Sequence, residues 1–500
     1  MATEILPLTT IGVIILIALS LSIFVKRLGQ NEVIGFILAG FLLGPFWLNF
    51  LRPTDPLVGG FAELGLFVLL FYLGIELSLK EFLKSGSAIF VLALIDMALT
   101  ISVGTAILLF LGHSLLFAAV FGIMMFSTST AIVAKFIFDR NLIENNAAKV
   151  SLAILILQDF LGILLLVFLT SFSSEQGSVL GLAMSALVFA VAAFYAVNHL
   201  TKVVEAWMKN NGYGHTTVTL YALGVGLIVA TLASLVGLST AIGAYFAGFA
   251  LSETDSGARI KRDVEFLRDF FLVFFFVGFG TTLFFDMAGN ALVLPSLDEI
   301  LSMAGLALVL GLSAMAAHSI VLRIFGGLFG LGGEDSSLAA ILLSPLGEFV
   351  VIIATVAGGI IAGVEARLVS PLAFMLILIT VIIFQPLYNR RSLHQRLLSL
   401  LPQLSRHEKP VKQLGKQETP YAVQQVEGFA FNLFVVVCFA WVAVLLYNDL
   451  PGFGVPIIYS RQVTAFILFA FFASVPFYRA MRAVKRLFKE LKGHRTLATV

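Results

Sequence analysis

Cysteine occurs once, at Cys438, and charge is scarce: Asp, Glu, Lys and Arg together make up 12% of the 500 residues, about half the share of a soluble domain. One cysteine excludes an internal disulfide, and the seven histidines form no Cys/His cluster with the spacing of a zinc site. Redox and transition-metal chemistry drop out, and no cofactor is expected. Basic residues outnumber acidic ones by only 31 to 29, so the balance asks for no polyanion and no nucleic acid partner is expected. What fills the chain instead is apolar: 59% of the residues are hydrophobic and the mean hydropathy is +1.03. Such a chain is a polytopic membrane protein whose lipid bilayer is its principal surrounding. At roughly 20 apolar residues per span there is room for about fifteen spanning helices.

Apolar runs broken by Gly, Pro or charge place those spans from 6–25 to 463–482, with the fifth over 115–138, the sixth over 150–172, the seventh over 179–200, the tenth over 265–285 and the twelfth over 338–362. If the amino terminus lies outside, all of the 31 basic residues except Arg52, Arg367 and Arg461 fall on inward loops and helix ends. That sorting selects amino terminus out and carboxyl terminus in the cytoplasm, and for this multi-pass chain the lack of an organelle-targeting segment fits a prokaryotic inner membrane. The first segment carries Lys26 and Arg27 on its carboxyl side and lacks a basic leader, so it reads as a retained helix. Residues 1–388 form one domain of thirteen spans, 389–426 a basic cytoplasmic linker, 427–482 two further spans and 483–500 a basic tail suited to an anionic inner leaflet.

The second and ninth spans align without gaps, IGFILAGFLLG at 34–44 with IGAYFAGFALS at 242–252, identical at six of eleven positions including Gly35/Gly243 and Gly40/Gly248. The third and tenth follow, VLLFYLG at 68–74 with LVFFFVG at 272–278. Both pairs lie seven spans apart, and seven is odd, so the halves cross the bilayer in opposite senses: an inverted repeat of the kind that builds secondary transporters. The plainer alternative is chance likeness between apolar helices with small packing residues. A repeat also pairs the fifth span with the twelfth, and both are interrupted. One holds Ser127-Thr128-Ser129-Thr130 in mid-membrane, the other Ser344-Pro345-Leu346-Gly347-Glu348. Proline removes a backbone donor and Ser or Thr can satisfy freed carbonyls. Irregular backbone at this depth belongs in protein or beside a wet cavity, so two crossed, broken helices facing an ion site are expected, against the alternative of simple packing kinks.

The sixth span carries Gln158 and Asp159 halfway along an apolar stretch. A carboxylate there costs on the order of 2.5–3.5 kcal/mol to insert, so Asp159 should face a polar cavity or a partner. Ser151, Leu155, Gln158 and Gly162 fall at helical spacing and give this helix a small or polar stripe beside Asp159. Burial favours a protonated carboxyl and a bound cation favours an ionised one. One group can therefore hold either a proton or a monovalent cation, and that competition is exchange; the alternative is a structural aspartate bonded to neighbouring hydroxyls. Gln158, Thr128, Ser129 and Thr130 supply further oxygens for the same site, and Glu348 and Ser344 at the second break are candidates for balancing half-helix dipoles or relaying protons.

Taken in order, Leu73-Gly74-Ile75-Glu76-Leu77, Ser129-Thr130-Ala131-Ile132-Val133, Gln158-Asp159 within LILQDFLGILLL, Gly243-Ala244-Tyr245-Phe246-Ala247-Gly248 and Leu343-Ser344-Pro345-Leu346-Gly347-Glu348-Phe349 resemble the motifs of the Kef-type branch of the monovalent cation:proton antiporter-2 family over residues 1–388. The resemblance implies an all-α, inverted-repeat antiporter fold with thirteen core helices, two of them broken and crossing. It implies that Asp159 binds potassium or sodium and a proton in turn, and that helices 4–6 and 11–13 move in an elevator fashion against a scaffold of helices 1–3 and 8–10 that forms a homodimer. Glutamine beside a single acid resembles the electroneutral, often potassium-selective, members.

Two features depart from that family. Many members carry a lysine or arginine in the middle of the eleventh span, where this chain offers only His318 before Arg323; the histidine is either a titratable substitute and pH sensor or simply hydrogen-bonded. The Kef-type cytosolic nucleotide-binding domain is not expected in cis, because no strand–GxGxxG–helix unit occurs, and GGLFGLGG at 326–333 reads as a hinge between spans. Asp96 in the fourth span is either a partner of the site or structural, and Glu63 and Glu76 near the ends of the third read as interfacial. The competing function is a cation channel or gated efflux pathway on the same fold, although no carbonyl-lined filter sequence is present. An enzyme is not expected, since neither HExxH nor a paired catalytic dyad appears.

Overall fold

The computed structural model describes residues 7–27, 30–76, 86–170, 179–286, 290–329 and 331–403, with 470, 473–479 and 481–482 near the carboxyl end. The span expected at 428–447, most of that at 463–482, the linker beyond 403 and the tail at 483–500 lie outside the described residues.

In lipid every backbone polar group must be satisfied within its own segment, so apolar runs of this length become helices. They are α1 (Pro7–Arg27), α2 (Glu32–Leu43), α3 (Pro56–Glu76), α4 (Gly86–Phe110), α5 (Leu115–Phe126), α6 (Thr130–Asp139), α7 (Asn146–Thr170) and α8 (Val179–Asn210). There follow α9 (His215–Leu235), α10 (Thr240–Ser252), α11 (Gly257–Thr281), α12 (Leu297–Phe325), α13 (Gly333–Leu342), α14 (Glu348–Gly358), α15 (Ala366–Asn389) and α16 (Arg391–Leu398). Polar caps start several of them. Ser114 accepts from the Phe117 amide, Asn31 from that of Val33, and Ser296 forms a reciprocal capping box with Glu299. Among the described residues, α1, α3, α4, α9, α12 and α15 are long and apolar enough to cross a membrane, and α2, α5, α10 and α14 are shorter apolar helices.

Three features differ from the sequence reading. The chain is not purely helical, because Phe285–Asp286 and Ala291–Leu292 pair as a two-residue antiparallel ribbon between α11 and α12. α8 continues to Asn210, ten residues beyond the expected end, and α11 begins at Gly257, eight before its expected start. In both cases the extension, TKVVEAWMKN or GARIKRDV, is charged, and a charged turn ends a hydrophobic run without ending a helix.

The chain forms two compact units, one of residues 1–72, 77–175 and 264–411 and the other of 73–76, 176–263 and 412–500. In the first, an apolar cluster that includes Leu92, Val133, Ile154, Val321, Ile341 and Phe384 ties together α4, α6, α7, α12, α13 and α15, and it is around this cluster that the polar residues discussed below are gathered.

Two of the close helix crossings, one in each unit, match atom for atom. In the first, a methyl placed on Gly280 would meet Ile37 O at 2.2 Å, Gly40 Cα at 2.9 Å and Phe41 N at 2.9 Å. In the second, a methyl on Gly74 would meet Tyr245 O at 2.2 Å, Phe249 N at 2.8 Å and Gly248 Cα at 3.1 Å. Ile37, Gly40 and Phe41 align in sequence with Tyr245, Gly248 and Phe249 of the second and ninth spans, so in each crossing a glycine lets aligned backbone positions come into contact. The packing equates Gly74 with Gly280 and not with Gly278, a shift of two residues from the register read from sequence.

Candidate functional site

The two interruptions are local products of sequence. After α5 ends at Phe126, Ser127 and Ser129 leave the helical region, with ψ of 89° and 106°. Ser129 then caps α6 by accepting from the Ile132 amide at 3.3 Å. α13 ends at Leu342, Ser344 donates to Ile341 O at 2.6 Å, Pro345 has no amide hydrogen to continue the ladder, and Gly347 is extended before α14 begins.

The interruptions cross. Thr128 and Leu346 face each other as an antiparallel bridge. The Ser129 amide donates to Pro345 O at 2.8 Å, the Gly347 amide to Ser127 O at 3.2 Å, and the Thr128 hydroxyl to Leu343 O at 3.1 Å. The Leu346 amide is taken up by Thr380 of α15 at 3.2 Å, whose own hydroxyl donates to Leu376 O and Ile377 O. Six backbone groups freed by the breaks thus find partners in the other break or in α15, as a dry interior favours. Only glycine fits at 347, because a methyl there would lie 2.6 Å from Ser129 Cα.

Two helix carboxyl ends, of α5 and α13, and two amino ends, of α6 and α14, meet at this crossing. The amino end of α6 presents Thr130, whose hydroxyl donates to Asp159 Oδ2 at 3.0 Å. Asp159 is half-buried on α7, and the positive end of the α6 dipole lies beside its carboxylate. Glu348, also half-buried, opens α14 in the equivalent position. Of the sequence candidates, Thr130 touches Asp159 directly. Thr128 and Ser129 are buried, and their hydroxyls serve the crossing, although each oxygen keeps acceptor capacity. Ser344 caps α13.

Asp96 and His318 come together away from that contact. His318 Nδ1 lies 2.8 Å from Asp96 Oδ1 and 2.9 Å from Oδ2, and both side chains are wholly buried. Gln158 Nε2 donates to Asp96 Oδ2 at 3.2 Å. The single histidine of the eleventh span is thus a hydrogen-bond partner of Asp96, and the fourth, sixth and eleventh spans are tied by one polar network next to Asp159. Thr380 was not singled out from sequence, since a threonine in an apolar span carries no local sign of the distant amide that it caps.

A cavity of about 400 Å³ opens on one side of the crossing. It runs from Lys26, Glu32, Asp139 and Arg140 past Lys135 to Ala131 and Ile132 in the first turn of α6, next to Thr130. Both walls, α1–α2 and α6–α15, belong to the first unit.

Residues 13–390 match the family model described as sodium/hydrogen exchanger, transmembrane. The chain is 30% identical over 359 residues to the putative cation/proton antiporter YbaL of Escherichia coli, covering 69% of this chain and 62% of that one. It is 27% identical to the ammonium/H(+) antiporter subunit AmhT of Alkalihalophilus pseudofirmus, covering 70% of this chain and 86% of the relative. To the glutathione-regulated potassium-efflux system protein KefC of Klebsiella pneumoniae it is 29% identical over 52% of its own length and 42% of the relative's. The chain thus spans about three fifths of YbaL and two fifths of KefC. The sodium proton antiporter MjNhaP1 of Methanocaldococcus jannaschii has a similar fold, with a TM-score of 0.56 at 17% identity over 78% of this chain and 98% of that one.

Proposed function

The chain belongs to the sodium/hydrogen exchanger family, and from that premise we propose that it exchanges a monovalent cation, potassium or sodium, for a proton across a membrane, with Asp159 binding each in turn. It acts as a transporter and not as an enzyme. The observation that carries this reading is the placement of Asp159: a carboxylate halfway along α7, bonded to Thr130 at the amino end of a half-helix, one residue from the inner end of a polar cavity. Burial favours its protonated form and a monovalent cation its ionised form, so loading one ion releases the other. The oxygens of Gln158, Thr128, Ser129 and Thr130 complete the cation's shell, and Glu348 balances the amino end of α14.

The crossed half-helices and the matched glycine crossings support an inverted-repeat antiporter fold of thirteen core helices, with residues 427–482 adding two more. With the amino terminus outside, the mouth of the cavity at Lys135 and Arg140 is cytoplasmic, which makes this the inward-open form. On that reading α4–α7 and α12–α15 carry the ion as a body past α1–α3 and α9–α11, the elements that form a homodimer in an inner membrane, and a single acid per site makes the exchange electroneutral. Reconstitution into liposomes with an internal pH dye tests the exchange. A potassium or sodium gradient is expected to drive saturable proton movement that Asp159→Asn abolishes. Proton-independent cation conductance that survives the substitution would instead indicate a channel.

A further inference from the structure

Asp96 is 0% and Gln158 2% exposed, so neither exchanges partners with water. An ionised carboxylate only accepts hydrogen bonds, and each contact of Asp96 with its two neighbours is consistent with that: His318 Nδ1 at 2.8 and 2.9 Å, and Gln158 Nε2 at 3.2 Å. The contact leaves Gln158 no choice of rotamer. Turning its amide over would set Oε1 against the carboxylate, acceptor against acceptor in a dry interior, where an unsatisfied pair is strongly unfavourable. With the nitrogen held by Asp96, Gln158 Oε1 is left as an acceptor turned from that carboxylate, and it is buried with no hydrogen-bond donor among the described residues. A buried amide oxygen without a donor, on the residue next to Asp159, is a ligand oxygen for a cation. Hard monovalent cations take carbonyl oxygens of this kind, and groups that orient such ligands typically govern affinity by 10–100-fold.

We propose that Asp96, clamped by His318, is a positioning residue for cation binding: it holds the Gln158 amide with nitrogen inward so that Oε1 completes the cation shell beside Asp159. This rests on the reading of Asp159 as the exchange site and adds to it a residue on α4 and one on α12 that never touch the ion. In this role His318 acts as a donor through the N–H of Nδ1. Asparagine can offer an amide N–H from nearly the same place as Nδ1, and leucine cannot.

The experiment measures cation-driven proton flux in proteoliposomes against potassium and sodium concentration, for the full chain and its variants. Asp96→Asn is expected to raise the apparent KM for the cation about tenfold or more, with a smaller change in maximal rate and a narrowed preference between the two ions. His318→Leu is expected to do the same, and His318→Asn to restore a KM within about threefold of the parent. On a Gln158→Leu background, Asp96→Asn is expected to change KM no further, because the group through which it acts is gone. An unchanged KM in Asp96→Asn, effects that add in the double variant, or equal impairment by His318→Asn and His318→Leu would overturn the proposal. If Asp96→Asn fails to fold, the two His318 variants decide the question. Asp159→Asn is run alongside: flux that survives it removes the exchange reading itself, whereas flux lost in Asp159→Asn but indifferent to position 96 removes only this inference.

Discussion

Gly347→Ala tests whether the crossing of the two breaks holds the site together. The added methyl would lie 2.6 Å from Ser129 Cα, 2.9 Å from Ser129 Cβ and 3.1 Å from Ser129 N. Carbon–carbon contacts settle at about 3.5–4.0 Å, so the two extended segments must part by roughly 1 Å. The bonds from the Ser129 amide to Pro345 O, now 2.8 Å, and from the Gly347 amide to Ser127 O, now 3.2 Å, then leave hydrogen-bonding range. The two broken bonds leave four buried groups without partners, each costing on the order of 1–3 kcal/mol, which puts the destabilisation at roughly 4 kcal/mol or more. Because α6 starts at Thr130, the same displacement draws its hydroxyl away from Asp159, and the apparent KM for the cation is expected to rise about tenfold. Gly358→Ala is the control: it lies at the other end of α14, where a methyl would meet nothing within 4 Å, and its effect should stay within about 0.5 kcal/mol. Thermal melting in detergent followed by size exclusion, with flux assays on the same preparations, reads both quantities. Equal melting points for the two variants, or a parental KM in Gly347→Ala, would refute the reasoning.

Thr130→Val removes a hydroxyl donor to Asp159 while keeping the shape of the side chain. A hydrogen bond to a charged group contributes about 1.5–3 kcal/mol, so the cation KM should rise at least tenfold with little change in melting temperature, and an unchanged KM would contradict the assignment. Gly280→Ala would bring a methyl to 2.2 Å from Ile37 O; overpacking of this kind costs about 1–3 kcal/mol, and a drop in melting temperature is expected, matched by Gly74→Ala if the two crossings are repeat equivalents. His394 of α16 lies between Ser319 at 3.0 Å and Ser337 at 2.8 Å, and burial holds it below the ordinary histidine value. The undocked helix therefore binds more protons than the docked one, so docking is fully favoured above about pH 6.5 and weakens as pH falls through the window below it. Protection of the amides of residues 391–403, taken relative to the intrinsic exchange rate at each pH, should fall between pH 7.5 and 5.5 in the parent and stay flat in His394→Gln; equal pH dependence in both would remove the histidine from that role.

What the sequence made legible was local. The hydroxyl run at 127–130 and Pro345-Gly347 announce chain interruptions because caps and a missing amide act within a turn of their own position. Asp159 stood out because an acid in an apolar run has no neutral explanation nearby. Pairings across the fold were not legible: Thr128 meets Leu346, and Asp96 meets His318, at separations of more than 200 residues with no shared motif. The two-residue shift between Gly278 and Gly280 has a similar cause, since small residues repeat along one helix and only the partner backbone selects among them. α16 escaped notice because a basic, polar stretch reads as linker, although Leu398 is buried and the next residues reach back through Gln403 to Leu331 O and Ser336.

The claim on which the rest depends is that one carboxyl group is claimed alternately by a cation and a proton. It is tested most directly by adding potassium or sodium to the purified protein in weakly buffered detergent with a pH indicator. Saturable proton release is expected from the parent, approaching about one proton per bound cation, and none from Asp159→Asn. Cation binding without proton release, or release that persists undiminished in Asp159→Asn, would contradict it.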